Sequence, residues 1–218
     1  RFGKKPFYYY RDKDKFIFSS EIKAILAHGE VEAKPNMNFL NDYINTFTKE
    51  YIKDTAFENI YRFDFSSYFE GTLEELFENF DQKKFWEIKP NLSHEKFDEE
   101  QAKEYAKKYY DLLEDAVRIR LRADVKVGSA LSGGLDSSSI VYLVNKLLKE
   151  QDKEELQETF SSVYKSDGTG ECDESYYIDI MVKKLGVHSN QIEPNEEDIP
   201  KEIEKMIWHL ENPPENSL

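Results

Sequence analysis

The stretch Val125-Lys126-Val127-Gly128-Ser129-Ala130-Leu131-Ser132-Gly133-Gly134-Leu135-Asp136-Ser137-Ser138 decides how this chain is read. Residues 125–131 form an apolar extended run, and a helical pattern starting at Ile140 carries Val144, Leu147 and Leu148. A strand, a turn with paired glycines and hydroxyls, then a helix start is how a backbone builds an anion site. Free amide N–H groups and the positive end of the helix dipole face outward together. Gly133 and Gly134 allow positive φ and put no Cβ between the backbone and a phosphate. Ser132, Ser137 and Ser138 add hydroxyl donors. Asp136 cannot meet phosphate directly, since like charges repel, and fits only with a divalent cation between the two. No Gly-Lys-Ser/Thr follows the glycines, which excludes a Walker loop.

Working outward, the pattern alternates. A second strand is expected at residues 159–164, then a helix with Ile178, Met181, Val182 and Leu185, closed by Gly186. A third short strand at Gln191-Ile192 precedes a helix with Ile203, Met206, Ile207 and Leu210. Such repetition predicts right-handed parallel βαβ units in a doubly wound α/β sheet covered on both faces. Ligands then bind beyond the carboxyl ends of the strands, where the 132–138 loop and a loop opening at Lys165 both fall.

Upstream, an amphipathic helix is expected over residues 98–122, with Ala102, Tyr105, Ala106, Tyr109, Leu113, Ala116 and Val117 on one face. Arg118, Arg120 and Arg122 suit its negative end or simply solvent. The polar, proline-containing residues 90–94 mark a boundary between domains at 1–92 and 93–218. In the first, Phe7 to Tyr10 and Phe16 to Phe18 read as an aromatic hairpin around a charged turn. Ser19 or Ser20 is expected to cap a helix running to Leu26, with Gly29 as its stop. Phe39, Leu40, Tyr43 and Ile44 have helical spacing. From about residue 49 to 91 the signals divide: Leu73, Leu76, Phe77 and Phe80 fit a helix, Tyr68-Phe69 and Phe85-Trp86 fit strands.

At 218 residues and a net charge of −14, the chain holds one domain or two small ones and repels a phosphate polyanion. Nucleic acid is therefore not an expected partner, and no apolar run approaches a membrane span. The single cysteine, Cys172, excludes a disulfide framework, suggests a reducing compartment and reads as a bystander thiol. His188 and His209 have no second metal ligand at suitable spacing and read as structural. Both ends, Arg1 and the proline-containing stretch to Leu218, suggest an internal segment of a longer protein.

The Ser-Gly-Gly-Leu-Asp-Ser string resembles the SGGxDS signature of the ATP pyrophosphatases, the PP-loop enzymes. Those include asparagine, GMP, NAD and argininosuccinate synthetases and several tRNA-modifying enzymes. Arg1-Phe2-Gly3-Lys4-Lys5-Pro6-Phe7-Tyr8-Tyr9, with Phe18-Ser19-Ser20-Glu21-Ile22-Lys23-Ala24-Ile25-Leu26, looks like the late glutaminase stretch of asparagine synthetases. Residues 116–125 are similar to the segment entering that family's PP-loop. Cys172-Asp173-Glu174-Ser175 through Leu185-Gly186, and Trp208-His209-Leu210-Glu211-Asn212-Pro213, resemble its YDES…LG and WHLxEP-like elements. The chain thus resembles the glutamine-hydrolysing asparagine synthetase family over nearly its whole length except residues 45–90.

That resemblance implies the C-terminal part of an Ntn-type α+β glutaminase domain, followed by the first βα units of a PP-loop domain. It implies that aspartate and Mg-ATP give β-aspartyl-AMP and pyrophosphate, and that glutamine-derived ammonia, arriving through an internal tunnel, then displaces AMP. ATP would be bound by Leu131, Ser132, Gly133, Gly134, Leu135, Asp136, Ser137 and Ser138, with Mg²⁺ on Asp136. Ser162 falls where the family lines its adenine pocket, usually with an apolar residue. Glu211 falls where the family places the carboxylate that deprotonates ammonium or the tetrahedral intermediate; an exposed helix-end glutamate is the alternative. Expected partners are aspartate, ATP and glutamine or ammonia, with at most a second copy of the chain, in the cytoplasm. The family's N-terminal cysteine, its Pro-Pro-Gly linker turn (here Asp64-Phe65-Ser66-Ser67) and its later SGEGSDE-like element do not occur in this sequence. The polypeptide alone is therefore expected to be inactive. Two alternatives stay open: a related amidotransferase or cyclase acting on another carboxylate, and a non-catalytic nucleotide-binding module.

Overall fold

The computed structural model describes residues 1–46, 53–90, 92, 96–153, 157–164 and 173–213. Cys172, the loop opening at Lys165 and part of the 90–94 boundary lie outside the described residues. The chain forms two compact units, Arg1–Leu92 with Ile199–Leu218, and Ser93–Asp198.

In the first unit, β1 (Tyr8–Arg11) pairs antiparallel with β2 (Phe16–Ser19) and with β3 (Ile60–Arg62). The two-residue period of a strand sends alternate tyrosines to opposite faces. Tyr8 joins Ile22, Ile25, Val31 and Ile60 in the core under α1 (Ile22–Leu26). Tyr9 faces the other way, into ring contacts with Phe16, Tyr61, Phe63 and Phe80. The expected second helix is α2 (Met37–Thr46), anchored by buried Phe39.

The ambiguous region resolves into β4 (Ser67–Tyr68), α3 (Leu73–Glu78) and β5 (Lys83–Lys84), with β4 and β5 antiparallel. Thr72 and Glu75 form a reciprocal capping box that fixes where α3 starts. The strand expected at Phe85-Trp86 lies two residues earlier, and Trp86 instead packs edge-on against Phe2 at 4.9 Å. Neither Ser19 nor Ser20 caps α1: its cap position is Glu21, which makes no side-chain cap bond.

The second unit opens with α4 (Glu99–Arg118), capped by the Asp98 carboxylate on the Gln101 amide at 2.8 Å. It ends before the predicted residue 122, and the Arg120 guanidinium folds back to donate to the Ala116 carbonyl at 2.6 Å. Strand β6 (Val127–Ala130), α5 (Leu135–Lys149), β7 (Gln157–Ser162), α6 (Ser175–Leu185) and β8 (His188–Ile192) follow. The strands are parallel in the order β6-β7-β8. Val117 of α4 packs with Leu143, Val144, Leu147 and Leu148 of α5, and the Glu114–Lys146 ion pair at 2.6 Å ties the same two helices. Gly186 closes α6 in the left-handed conformation, as its position predicts.

Coverage of both sheet faces is not seen among the described residues. Along β7, Gln157, Thr159 and Ser161 are buried while Phe160 and Ser162 are exposed, so among the described residues helices cover one face only. Strands added in sequence order, without a reversal, put successive right-handed crossovers on the same side. Leu131, Val141, Val163 and Ile178 meet in a single cluster there, joining α5 and α6. The third predicted helix, α7 (Ile199–Leu210), belongs to the other unit.

Candidate functional site

Strand β6 delivers the chain to Leu131, which is buried and whose amide donates to the Phe160 carbonyl at 2.9 Å. The Ser161 hydroxyl donates to the Leu131 carbonyl at 2.6 Å, so β7 pins both polar groups of the residue before the turn. Helix α5 begins at Leu135, five positions before the first periodic apolar residue, so Asp136, Ser137 and Ser138 stand on its first turn. Only Ser132, Gly133 and Gly134 form the loop. Gly134 occupies the cap position and no side chain caps α5, leaving its first amides to whatever approaches from the sheet's carboxyl edge.

Gly133 has φ +83°, and a Cβ there would stand 3.1 Å from the Glu174 carbonyl oxygen and from the Tyr177 Cβ. It is glycine for two independent reasons, backbone conformation and the close approach of the head of α6. The Ser137 hydroxyl accepts from the Ser132 amide at 3.2 Å, donates to the Gly134 carbonyl at 3.2 Å and lies 3.0 Å from the Ser132 hydroxyl. These bonds hold the turn in shape without a ligand. Asp173 accepts from the Ser175 amide and hydroxyl and from the Tyr164 amide, joining the end of β7 to the head of α6. Ser161 and Asp173 carry no sequence motif for these supporting roles beyond the family-like Asp-Glu-Ser string.

Asp136 is exposed at the helix start. No three His, Cys, Asp or Glu side chains converge among the described residues, so Asp136 offers one carboxylate. One carboxylate beside an uncapped helix start suits a hard cation that takes its other ligands from phosphate and water. Ser162 ends β7 on the open face, at the same carboxyl edge as the loop.

Glu211 belongs to the first unit, and the loop to the second. The Glu211 side chain is only 8% exposed. Its carboxylate accepts from the Ile22 amide at 2.6 Å and the Lys23 amide at 2.7 Å, closing the start of α1 that no cap residue closes. The Lys23 ammonium adds an ion pair at 3.3 Å, and lies 5.6 Å from the centre of the Trp208 ring. Partial desolvation works against the Lys23 charge, but hydrogen bonds to Glu21 and Glu211 outweigh it and raise its pKa. Glu211 itself has φ +58°, a conformation that costs a non-glycine residue about 1–2 kcal/mol. The carboxylate lines a mainly apolar groove of about 380 Å³ with Leu26, Leu40, Phe57, Ile207 and Trp208. His188 and His209 take no part in either arrangement: the His188 ring bonds Glu158 at 2.6 Å.

Residues 108–217 match the asparagine synthase family, and residues 1–86 match the glutamine amidotransferase domain. The chain belongs to the asparagine synthase family. It is 34% identical to a protein of Methanocaldococcus jannaschii provisionally named asparagine synthetase (glutamine-hydrolyzing) 2, over 98% of this chain and 39% of that one. It is 28% identical to the amidase chyE of Penicillium rubens, over 98% of this chain and 31% of that protein. Identity to asparagine synthetase (glutamine-hydrolyzing) 3 of Bacillus subtilis is 24%, over 95% of this chain and 33% of that protein. The chain thus spans well under half the length of these relatives. In this asparagine synthase family chain, the loop and Glu211 both fall in the synthase-matching segment, while Ile22 and Lys23 fall in the amidotransferase-matching one.

Proposed function

We propose that the full-length protein activates the β-carboxylate of aspartate with Mg-ATP and amidates it with glutamine-derived ammonia, giving asparagine, AMP and pyrophosphate. The observation that carries this reading is the uncapped start of α5 behind Gly133 and Gly134, in a chain of this family. A free carboxylate resists attack because neither oxygen can leave. Its oxygen attacks the α-phosphorus and pyrophosphate departs, so the acyl carbon gains AMP as a leaving group. Ammonia then adds to that carbon, AMP leaves with the C–O electrons, and a base accepts the surplus proton.

In this reading the amides at the start of α5 and the hydroxyls of Ser132, Ser137 and Ser138 receive the pyrophosphate oxygens. Leu131 and Ser162, at the carboxyl edge, flank the nucleoside. Asp136 holds Mg²⁺, which when bound spreads the charge at the α–β bridge. Glu211 is the base. Its buried setting in an apolar groove and its strained backbone support a functional role, since such strain persists where function requires it. The same proposal includes a glutaminase-type portion at 1–92, a PP-loop portion of a doubly wound sheet at 93–218, and small-molecule partners only. A cytoplasmic setting is part of it. The net charge of −14 disfavours nucleic acid, and among the described residues no helix is long and apolar enough to cross a membrane.

The test is ATP–pyrophosphate exchange by the full-length protein across a panel of carboxylic acids, with asparagine detected by mass spectrometry. Exchange driven by aspartate is expected; exchange with other acids but not aspartate rejects the assignment. That outcome favours a second reading, amidation of a different carboxylate, which the likeness to two fungal amidases motivates.

A further inference from the structure

A carboxylate offers about four acceptor positions, two on each oxygen. On Glu211 the Oε1 atom accepts from the Lys23 amide and is ion-paired with the Lys23 ammonium at 3.3 Å, and Oε2 accepts from the Ile22 amide. Among the described residues Oε2 meets no second donor, which leaves one position there open. The Lys23 ammonium is itself fixed by Glu21 at 3.3 Å, by the Trp208 carbonyl at 3.4 Å and by the Trp208 ring. Helix α7, which leads to Glu211, contains no buried residue, and Ile207 and Trp208 stay 45% and 64% exposed. Apolar packing along this helix is therefore slight, and the polar clasp at Glu211, beside buried Asn212, ties its end to the start of α1.

We propose that Lys23 is a positioning residue for Glu211. It aims the carboxylate so that the open position on Oε2 meets the nitrogen nucleophile. Resting on the base role proposed above, this makes amidation depend on a residue of the amidotransferase-matching segment even when free ammonia replaces glutamine. Lys23 touches no reacting atom; it acts through Glu211.

The experiment uses the full-length protein with ammonia as nitrogen donor, comparing wild type, Lys23→Met, Lys23→Arg and Glu211→Gln. Lys23→Met should lower kcat for amidation by about tenfold, the loss expected of a misaimed catalytic group. Aspartate-dependent pyrophosphate exchange should change by less than about twofold, because only the second half-reaction uses Glu211. Lys23→Arg should recover most of the amidation rate, which a purely packing role would not require. Amidation at the wild-type rate in Lys23→Met, or a parallel loss of exchange and amidation, overturns the proposal. Independently of any activity, Glu211→Gln should speed hydrogen exchange at the Ile22 and Lys23 amides, and unchanged protection also overturns it. The base reading fails separately, if Glu211→Gln amidates as fast as wild type.

Discussion

Replacing Gly133 by alanine tests whether the loop's shape, rather than its composition, makes the site. An L-residue held near φ +83° costs about 1–2 kcal/mol. The added Cβ would also meet the Glu174 carbonyl oxygen and the Tyr177 Cβ at 3.1 Å, and the Glu174 Cβ at 3.2 Å. These atoms belong to the head of α6, not to a flexible side-chain tip, so the helix itself must shift. Forcing a methyl into occupied space adds about 1–3 kcal/mol. For a unit of roughly a hundred residues each kcal/mol moves Tm by about 4–8 °C, so the transition of the second unit should fall by at least about 8 °C. Mg-ATP affinity should fall with it, because the displaced turn tilts the amides of α5. Gly134→Ala is the matched control. Gly134 sits at φ −71°, ψ 163°, and the nearest atom to an added Cβ is the Ser132 hydroxyl at 3.6 Å. It loses only a cap preference, well under about 1 kcal/mol once the lower entropy of the unfolded alanine chain is set against it. Differential scanning calorimetry and titration with Mg-ATP read both variants. Equal destabilisation by the two substitutions would refute the reasoning.

Asp136→Asn should weaken Mg-ATP binding by about tenfold or more, the worth of a charge-assisted contact, while metal-free ATP binding should not weaken and should gain from the loss of a like charge. Equal Mg-ATP binding by the two proteins removes the metal role. Glu158, on β7, is bonded by Lys126, Asn190 and His188, and these donors hold its carboxyl at about 2 against the usual 4.5. Because the folded value lies below the unfolded one, ionised Glu158 stabilises the fold above pH 4.5 and loses that contribution as pH falls toward 2. The gap in urea midpoint between wild type and Glu158→Gln should therefore be level near neutrality and close across that acid window. A gap that widens there contradicts the assignment.

The parallel sheet and its turn were readable because their signals are local. Apolar periods switch from strand to helix on either side of Ser132-Gly133-Gly134, and Gly186 marks a helix end in sequence as in structure. The periodic pattern of α5 shows only from Ile140 because the four residues after Leu135, Asp136 to Ser139, are all polar. An uncapped polar helix start is what an anion site requires, so the residues that hide the helix are those of the proposed site. The α3 start was readable in principle from Thr72 and Glu75, but aromatic residues on both sides gave competing strand signals. Coverage of one sheet face could not be read from the alternation alone, since that depends on whether strand order reverses. The closing of α1 by Glu211 was out of reach for a different reason. Donor and acceptor stand 189 positions apart, and no periodicity links them.

That distant bond also explains why family boundaries and compact units divide the chain differently. Residues 199–213 match the asparagine synthase family, yet they lie in the unit that contains the amidotransferase-matching residues. A helix with no buried residue cannot choose a partner by apolar area alone. A helix start lacking its own cap, by contrast, has unpaired amides that a carboxylate can satisfy, and Glu211 brings one. The match is mutual, because each group would otherwise be left half-satisfied near an apolar groove. Two backbone amides and one lysine hold that carboxylate, so under the proposed base role substitutions at Lys23 should lower the amidation rate more than the urea midpoint.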